Sequence, residues 1–122
     1  MPNHNSPIIR ASQGITFNAT GALVKRLVHP DTVGSQNLGV SVVFMNPGEE
    51  IVRHRHPNEE AYYIIQGKGI MYYEGHEDIS LEPHICVYIP GMVQHGQKNT
   101  GDEPLVILCA LSPALTTMPI VD

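Results

Sequence analysis

Basic residues are scarce in this sequence. Seven lysines and arginines stand against twelve aspartates and glutamates, so the formal net charge is -5 over 122 residues. The basic residues are spread thinly and form no run. Such a chain lacks the positive surface that attracts nucleic acid or an anionic membrane. The sequence therefore predicts neither of these partners and favours a small-molecule substrate or ligand.

Long hydrophobic stretches are also missing. No segment approaches the roughly 20 apolar residues that are needed to cross a bilayer. The start of the chain, Met1 to Pro7, has neither the basic nor the hydrophobic region of a secretion signal. From these two absences we expect a cytoplasmic protein.

Cysteine is rare, since the chain contains only two. Cys86 and Cys109 both lie inside apolar runs, where cysteine usually behaves as a small buried hydrophobe, and a disulfide is not expected in a reducing compartment. The sequence has no paired-cysteine zinc pattern, no phosphate-binding glycine loop and no nucleophile elbow. These classes of site are therefore excluded from the interpretation.

Glycine and proline are plentiful, with eleven and ten copies, and they separate short segments rich in Val, Ile, Tyr and Leu. This pattern is typical of an all-β domain, a sandwich or a barrel. The predicted strands are Ala22 to Val28, Leu38 to Met45, Ile51 to His56, Ala61 to Gln66, Gly69 to Glu74, Ile79 to Leu81, Ile85 to Ile89, Gln94 to Lys98 and Leu105 to Leu111. The length indicates a single domain, residues 1–122, with residues 1–20 as an N-terminal arm and residues 112–122 as a C-terminal tail.

The segment from Gly48 to Gly67 carries the strongest chemical signal. His54 and His56 are one residue apart, so on a strand their side chains point to the same face. Glu60 adds an anionic oxygen. A set of imidazole and carboxylate groups suits divalent Fe, Mn, Ni, Cu or Zn. The sequence therefore predicts one divalent transition metal ion.

This segment, spelled Gly-x5-His-x-His-x3-Glu-x6-Gly, resembles the first signature of the cupin superfamily with every spaced position filled. A second signature, Gly-x5-Pro-x-Gly-x2-His-x3-Asn, is matched in part by Pro90, His95 and Asn99. His84 and Met92 stand where that signature has glycine. The chain is thus similar to small single-domain cupins, and the two replacements put the local turn geometry in doubt.

The resemblance implies a cupin-like antiparallel β-barrel, also called a double-stranded β-helix or jelly roll, with the metal inside it. His54, His56, Glu60 and His95 become the expected ligands. Side-chain alternation then places Val52 in the pocket and directs Arg53 and Arg55 outward. On the next strand Tyr62, Ile64 and Gln66 follow Glu60 inward unless a bulge intervenes. Tyr62 is the first candidate for proton transfer or substrate orientation, and Glu60 could leave the metal briefly and act as a base.

The remaining polar and sulfur-containing residues have simpler interpretations. His29 and His76 are expected to be exposed turn residues. His84 occupies either a tight turn, which we favour, or the barrel mouth as an acid or base. Packing in the barrel is the expected role of Tyr72, Tyr73 and Tyr88, and filling of core gaps that of Met45, Met71 and Met92.

Four protein ligands leave one or two metal positions open, which favours catalysis over a closed structural site. The leading hypothesis is an enzyme acting on a small polar or chelating molecule. By family analogy, dioxygenase chemistry is slightly favoured over isomerase, epimerase, lyase or cyclase chemistry. The alternative is a non-catalytic cupin module that binds a small molecule or sugar. An exposed sheet edge and the apolar tail from Leu115 to Val121 also predict a homodimer.

Overall fold

The computed structural model describes residues 6–19 and 21–121, and β-strands dominate these ranges. A single turn of 3-10 helix, Ala11–Gln13, precedes the strands. The strands are β1 Ile15–Ala19, β2 Ala22–Val28, β3 Gly39–Met45, β4 Glu50–His54, β5 Glu59–Gln66, β6 Gly69–Tyr73, β7 Ile79–Leu81, β8 Cys86–Ile89, β9 His95–Asn99 and β10 Leu105–Ser112. No helix in the described ranges is long and apolar enough to cross a membrane.

The strands form two antiparallel sheets that face each other. The larger sheet has the order β1-β2-β3-β10-β5-β8 and the smaller has the order β4-β9-β6-β7. All the pairings within them are antiparallel. This is the jelly roll predicted from the sequence, and the all-β prediction is confirmed.

The nine predicted strands correspond to β2 through β10, with ends that agree within two residues. β1 was not predicted; it lies within the segment assigned to the N-terminal arm. A signal was present, because Ile15, Phe17 and Ala19 alternate with Thr16 and Asn18. In the structure the three apolar side chains are half-buried and the two polar ones are exposed.

Apolar packing fills one end of the barrel and leaves the other end open. Met45, Met71, Leu81 and Leu105 are almost fully buried, as expected for the two methionines. The opposite end lies near Gly39 on β3 and Leu111 on β10, and there the two sheets enclose a cavity. The barrel therefore separates a packed core from a hollow mouth.

Two bulges change which side chains face the interior. In the β4–β9 pairing Ile51 is opposite Gln97 and His54 is opposite His95, so β4 holds one extra residue. As a result Ile51 points inward, whereas Val52 is 41% exposed. The prediction that Val52 lines the pocket was wrong, and Ile51 takes that place.

The second bulge lies on β5. Ile107 pairs with Ile64 but Val106 pairs with Gln66, which leaves Ile65 as the extra residue. Ile64 is buried as predicted, whereas Gln66 is exposed. Strict alternation would direct Gln66 into the barrel, but the bulge at Ile65 turns its side chain to the outside.

Outside the barrel wall, the outward direction of Arg53 is confirmed, since it is exposed with its guanidinium 4.6 Å from the centre of the Tyr72 ring. Arg55 is half-buried, and its backbone pairs with that of Ile120 in the C-terminal segment. Tyr72 and Tyr73 are half-buried, but Tyr88 is 56% exposed, so it does not pack in the barrel as expected.

Four other predictions have clear outcomes. His76 is exposed, as expected, but His29 is only 3% exposed and was predicted wrongly. The amide of Asp31 donates to His29 Nδ1 at 3.1 Å, and Nε2 donates to the Leu115 carbonyl at 3.1 Å, so both ring nitrogens are used. Cys109 is buried as predicted, whereas Cys86 points outward from β8 and is exposed.

The two positions that replace signature glycines both have left-handed backbone geometry. The φ angle is 74° at His84 and 65° at Met92. His84 is exposed in a turn, as favoured, and its Nδ1 lies 2.8 Å from the Tyr63 hydroxyl. Met92 is exposed too, so its assignment to the core was wrong. The chain thus keeps the backbone shape for which glycine is the usual residue.

Candidate metal centre

Three histidines converge where β4 and β9 begin to enclose the cavity. His54 ends β4, His95 starts β9, and the two are direct partners in the strand register. His56 follows β4 after one residue and is buried. One ring nitrogen from each histidine lies within 4.8 Å of the others. The three residues could therefore hold a single metal ion.

The orientation of each imidazole is fixed by a hydrogen bond to the backbone. Nδ1 of His54 lies 2.8 Å from the Val52 carbonyl, and Nδ1 of His95 lies 2.8 Å from the Val93 carbonyl. Nδ1 of His56 lies 3.1 Å from the Asn58 carbonyl. Because a carbonyl oxygen only accepts, each Nδ1 carries the hydrogen and each Nε2 keeps a lone pair. Metal-binding histidines are commonly oriented in this way.

Glu60 is buried beside two of these nitrogens. Its Oε1 lies 3.1 Å from His56 Nε2 and 3.3 Å from His95 Nε2. With the hydrogens on Nδ1, each contact brings an Nε2 lone pair against a lone pair of the Glu60 carboxylate. His95 Nε2 is also buried without a hydrogen-bond partner. Such an arrangement requires an extra proton or a cation between the groups.

The spacing fits a cation. Donor atoms about 2.1 Å from a shared ion, at angles of about 90° to 110°, lie roughly 3.0 to 3.4 Å from each other. The two distances from Glu60 Oε1, 3.1 and 3.3 Å, fall in that range. The structure thus brings three of the expected ligands, His54, His56 and His95, into one group, and Glu60 contacts two of them. These donor types suit a transition metal.

Electrostatic coupling within the cluster shifts its pKa values. Burial alone would raise the pKa of Glu60, but the nearby imidazoles of His56 and His95 outweigh it and lower the pKa of this carboxyl. Burial alone would lower the pKa of His56, but Glu60 outweighs it and raises that pKa. For His54 burial dominates, and its pKa is lowered. Glu60 is therefore the negative charge of the site.

Tyr62 follows Glu60 on β5 and points into the same interior, as predicted. Its ring centre lies 6.0 Å from that of His95. Burial, and then the charge of Glu60, raise the pKa of Tyr62 well above the ordinary value, so the hydroxyl stays protonated at neutral pH. It donates to Gln97 Oε1 over a long 3.5 Å. Tyr62 is also among the residues that line the cavity.

The cavity beside the four residues has a volume of about 240 Å³. His54, His56, Glu60 and Tyr62 line one part of it, and the rest is mostly apolar. Several lining residues were not predicted from the sequence. They come from β1, β2 and the C-terminal segment: Phe17, Val24, Arg26, Leu115, Met118 and Val121. Alternation from Ala22 and Val24 on β2 could have placed Arg26 inside.

Comparison with known proteins now defines the class. The family model described as Cupin domain matches residues 41–111, which is more than half of the chain, and the matched region contains every residue of the cluster. The chain belongs to the cupin family. The resemblance to cupins that the two signatures indicated is thereby confirmed.

Individual relatives share the domain. The uncharacterized protein MJ1618 of Methanocaldococcus jannaschii is 30% identical over 94 residues, which cover 76% of this chain and 74% of that protein. Dimethylsulfoniopropionate lyase DddQ of Ruegeria pomeroyi is 34% identical over 86 residues, covering 70% of this chain and 42% of the lyase. This chain thus spans less than half of the lyase, and it spans 60% and 62% of two polyketide synthase proteins of Streptomyces species.

Solved structures show the same fold. The polyketide cyclase RemF of Streptomyces resistomycificus aligns with a TM-score of 0.79 at 14% identity, over 96% of this chain and 86% of the cyclase. Among the similar proteins are a lyase, a dioxygenase, an isomerase and a cyclase. The family is therefore shown to be chemically diverse, and an enzyme is plausible.

Proposed function

We propose that this protein is a metal-dependent cupin enzyme that transfers a proton on a small chelating organic molecule, in the manner of a lyase, isomerase or cyclase. The proposal depends on one observation: the Tyr62 side chain is buried two residues after Glu60 on β5, with its ring centre 6.0 Å from that of His95. A hydrogen-bond donor in this position suits an oxygen atom that gains negative charge during a reaction.

The metal would be held by His54, His56, His95 and Glu60. Divalent Fe, Mn, Ni, Cu and Zn all suit this set of nitrogen and oxygen donors. When bound, such an ion supplies Lewis acid chemistry, polarising a carbonyl or hydroxyl oxygen of the substrate. The apolar walls of the 240 Å³ cavity limit the entry of water.

The proton-transfer step then uses two side chains. The bond between carbon and hydrogen beside a substrate carbonyl breaks, and its electron pair forms the carbon–carbon double bond of an enolate. The proton passes to a carboxylate oxygen of Glu60, which is ionised because its pKa is lowered. Tyr62 donates a hydrogen bond to the enolate oxygen but does not act as the base, because its pKa is raised.

Dioxygenase chemistry is the second candidate function. The same ligands accept a redox-active metal, and the cavity would hold dioxygen beside a chelating substrate. A protonated Tyr62 is not needed for oxygen activation, so we place this candidate after proton transfer and reverse the order suggested by family analogy. A binding module without catalysis is third, because it has no use for an ionised Glu60 beside Tyr62.

The test uses metal-loaded protein, deuterium oxide and a panel of α-hydroxyketones under nitrogen. Proton NMR should show enzyme-dependent loss of the signal from the hydrogen next to the carbonyl. Tyr62→Phe should slow this exchange by about 100-fold, the lower end for a lost hydrogen-bond donor to a developing oxyanion, without changing the metal content. Turnover of chelating diketones or catechols only with oxygen uptake would support the dioxygenase. Binding without exchange or turnover would support the binding module.

A further inference from the structure

Arg26 is the only lysine or arginine among the described residues that line the cavity. It lies on β2 with the same alternation as the buried Ala22 and Val24, and its own side chain is half-buried. Its guanidinium lies 4.4 Å from the centre of the Phe17 ring, which also lines the cavity. Stacking on an aromatic ring orients the guanidinium but leaves its hydrogen-bond donors to be satisfied elsewhere.

The charge of Arg26 forms no ion pair within 4.0 Å with a residue in the part of the chain that the structure describes. Burial has the larger effect on the Arg26 pKa and lowers it. Asp31, an exposed carboxylate, acts on the pKa in the opposite direction from longer range. Since the surrounding cavity is mostly apolar, an anion beside this guanidinium would be bound more strongly than in water.

The strand register links Arg26 to the metal centre. Arg26 pairs with Ser41, Ser41 with Cys109, and Cys109 with Tyr62, so these four residues form one row across β2, β3, β10 and β5. All four line the cavity. Three strand spacings of about 4.8 Å separate the ends of the row, which places the Arg26 and Tyr62 backbones about 14 Å apart along the sheet. A ligand beside Tyr62 would therefore extend along this row towards Arg26.

We propose that Arg26 binds a carboxylate at the end of the substrate remote from the metal. The substrate is then a small organic acid with three parts: a chelating group at the metal, a short apolar body, and a carboxylate on the guanidinium. The 240 Å³ cavity limits that body to about one ring or a short chain, since pockets for drug-sized ligands are roughly 300 to 1,000 Å³. This inference rests on the proposed function, because it assumes that the other end of the substrate chelates the metal.

Bidentate pairing with a carboxylate is the interaction that a guanidinium makes best. His29 also lines the cavity but does not compete for the anion, because both of its ring nitrogens already bind backbone groups. Ser41 lies next to Arg26 in the row and adds a hydroxyl that can donate to the same carboxylate. The row therefore has donors at both ends and an apolar middle around Cys109.

The experiment uses zinc-loaded protein under nitrogen and two probes that differ only in charge: protocatechuate and its uncharged primary amide. Both carry a catechol for the metal, and their remote groups differ. Calorimetric titration should show that the wild type binds protocatechuate at least about tenfold more tightly than the amide, as a charge-assisted hydrogen-bond pair provides. Arg26→Gln should remove this preference while leaving the affinity for the amide and the zinc content unchanged.

Arg26→Lys should keep part of the preference, because the positive charge remains. Lys25→Gln is the matched control: Lys25 is the next residue on β2, faces the other way and donates to the Ala11 carbonyl, so the preference should be intact. Equal affinity of the wild type for the two probes, or an unchanged preference in Arg26→Gln, would overturn the role of Arg26 but leave the metal site standing. If neither probe binds to zinc-loaded wild type, the chelating substrate of the proposed function is contradicted, and this inference with it.

Discussion

His54 and His95 face each other across the β4–β9 pairing, and each donates its Nδ1 hydrogen to the carbonyl two residues earlier, at 2.8 Å in both cases. The same local bond on two neighbouring strands directs both Nε2 atoms into the barrel. The site is therefore oriented by backbone geometry before any ion binds, which lowers the entropy lost on binding.

The first prediction concerns metal content. Purified protein should contain one transition metal ion per chain, and His95→Ala should lower that content by about tenfold or more, since it removes a buried ligand. Elemental mass spectrometry measures both. His76→Ala is the matched control, because His76 is exposed in a turn and should have no effect. Metal-free wild type, purified without chelators, would contradict the metalloenzyme.

The second prediction concerns pH. The pKa of His56 is raised because the effect of Glu60 exceeds that of burial, so protons compete with a metal for this nitrogen near neutral pH. Metal binding displaces the proton, and affinity should therefore fall as pH falls through the raised pKa. Competition with a chromophoric chelator, repeated at several pH values, gives the midpoint of this loss.

Glu60→Gln provides the control for the pH experiment. It removes the charge that raises the His56 pKa, so the midpoint should move to lower pH even though the affinity itself is also weaker. An unchanged midpoint would show that the coupling between these two residues does not govern metal binding.

His54 and His56 could be assigned to one strand face from sequence because they are one residue apart. The full set with Glu60 and His95 was expected from the resemblance to the two cupin signatures. Val52 was predicted wrongly because it lies within a bulge, and Gln66 because it follows one. A bulge depends on pairing with a distant strand.

Other features were outside the reach of local patterns. His29 is buried, and its Nε2 donates a hydrogen bond to the carbonyl of Leu115, which lies 86 positions later in the sequence. Arg26 shares the alternation of Ala22 and Val24, but its row reaches Tyr62 only because β2 and β5 are brought into one sheet through β3 and β10. Contacts of this kind follow from the topology of the whole barrel, and no short window of the sequence contains them.

The third prediction concerns the two positions that replace glycine. Since Met92 has a φ of 65°, Met92→Gly should stabilise the protein by roughly 0.5 to 1 kcal/mol: the left-handed conformation costs a non-glycine residue about 1 to 2 kcal/mol, and glycine's greater flexibility when unfolded offsets part of the gain. Urea denaturation measures the change. His84→Gly should gain less, because it loses the contact with the Tyr63 hydroxyl.

Glu82→Gly is the control for these substitutions. Glu82 is exposed in the same turn region and is not among the non-glycine residues with positive φ, so glycine there should destabilise. Gly91 is a different case: a Cβ at this position would clash with the Pro57 carbonyl oxygen, next to the candidate ligand His56. Destabilisation by Met92→Gly would contradict the strain argument.

The last prediction concerns assembly, for which we propose a homodimer. The outer face of the larger sheet, here called the outer apolar face, is formed by side chains that are half-buried or exposed: Val42, Phe44, Tyr63, Ile65 and Leu108. An apolar surface that continues over three neighbouring strands is unusual on a monomer. Since β3, β10 and β5 are adjacent, a second copy could cover this face symmetrically.

Size-exclusion chromatography with light scattering should give the mass of two chains, about twice 13.4 kDa. Ile65→Glu should produce a monomer, because Ile65 is 47% exposed within the outer apolar face and a charge there would be buried in the dimer. Val52→Glu is matched in chemistry and is 41% exposed on the smaller sheet, so it should remain dimeric. A wild type that is monomeric at micromolar concentration contradicts the dimer, and dissociation by Val52→Glu but not by Ile65→Glu would place the interface on the smaller sheet instead.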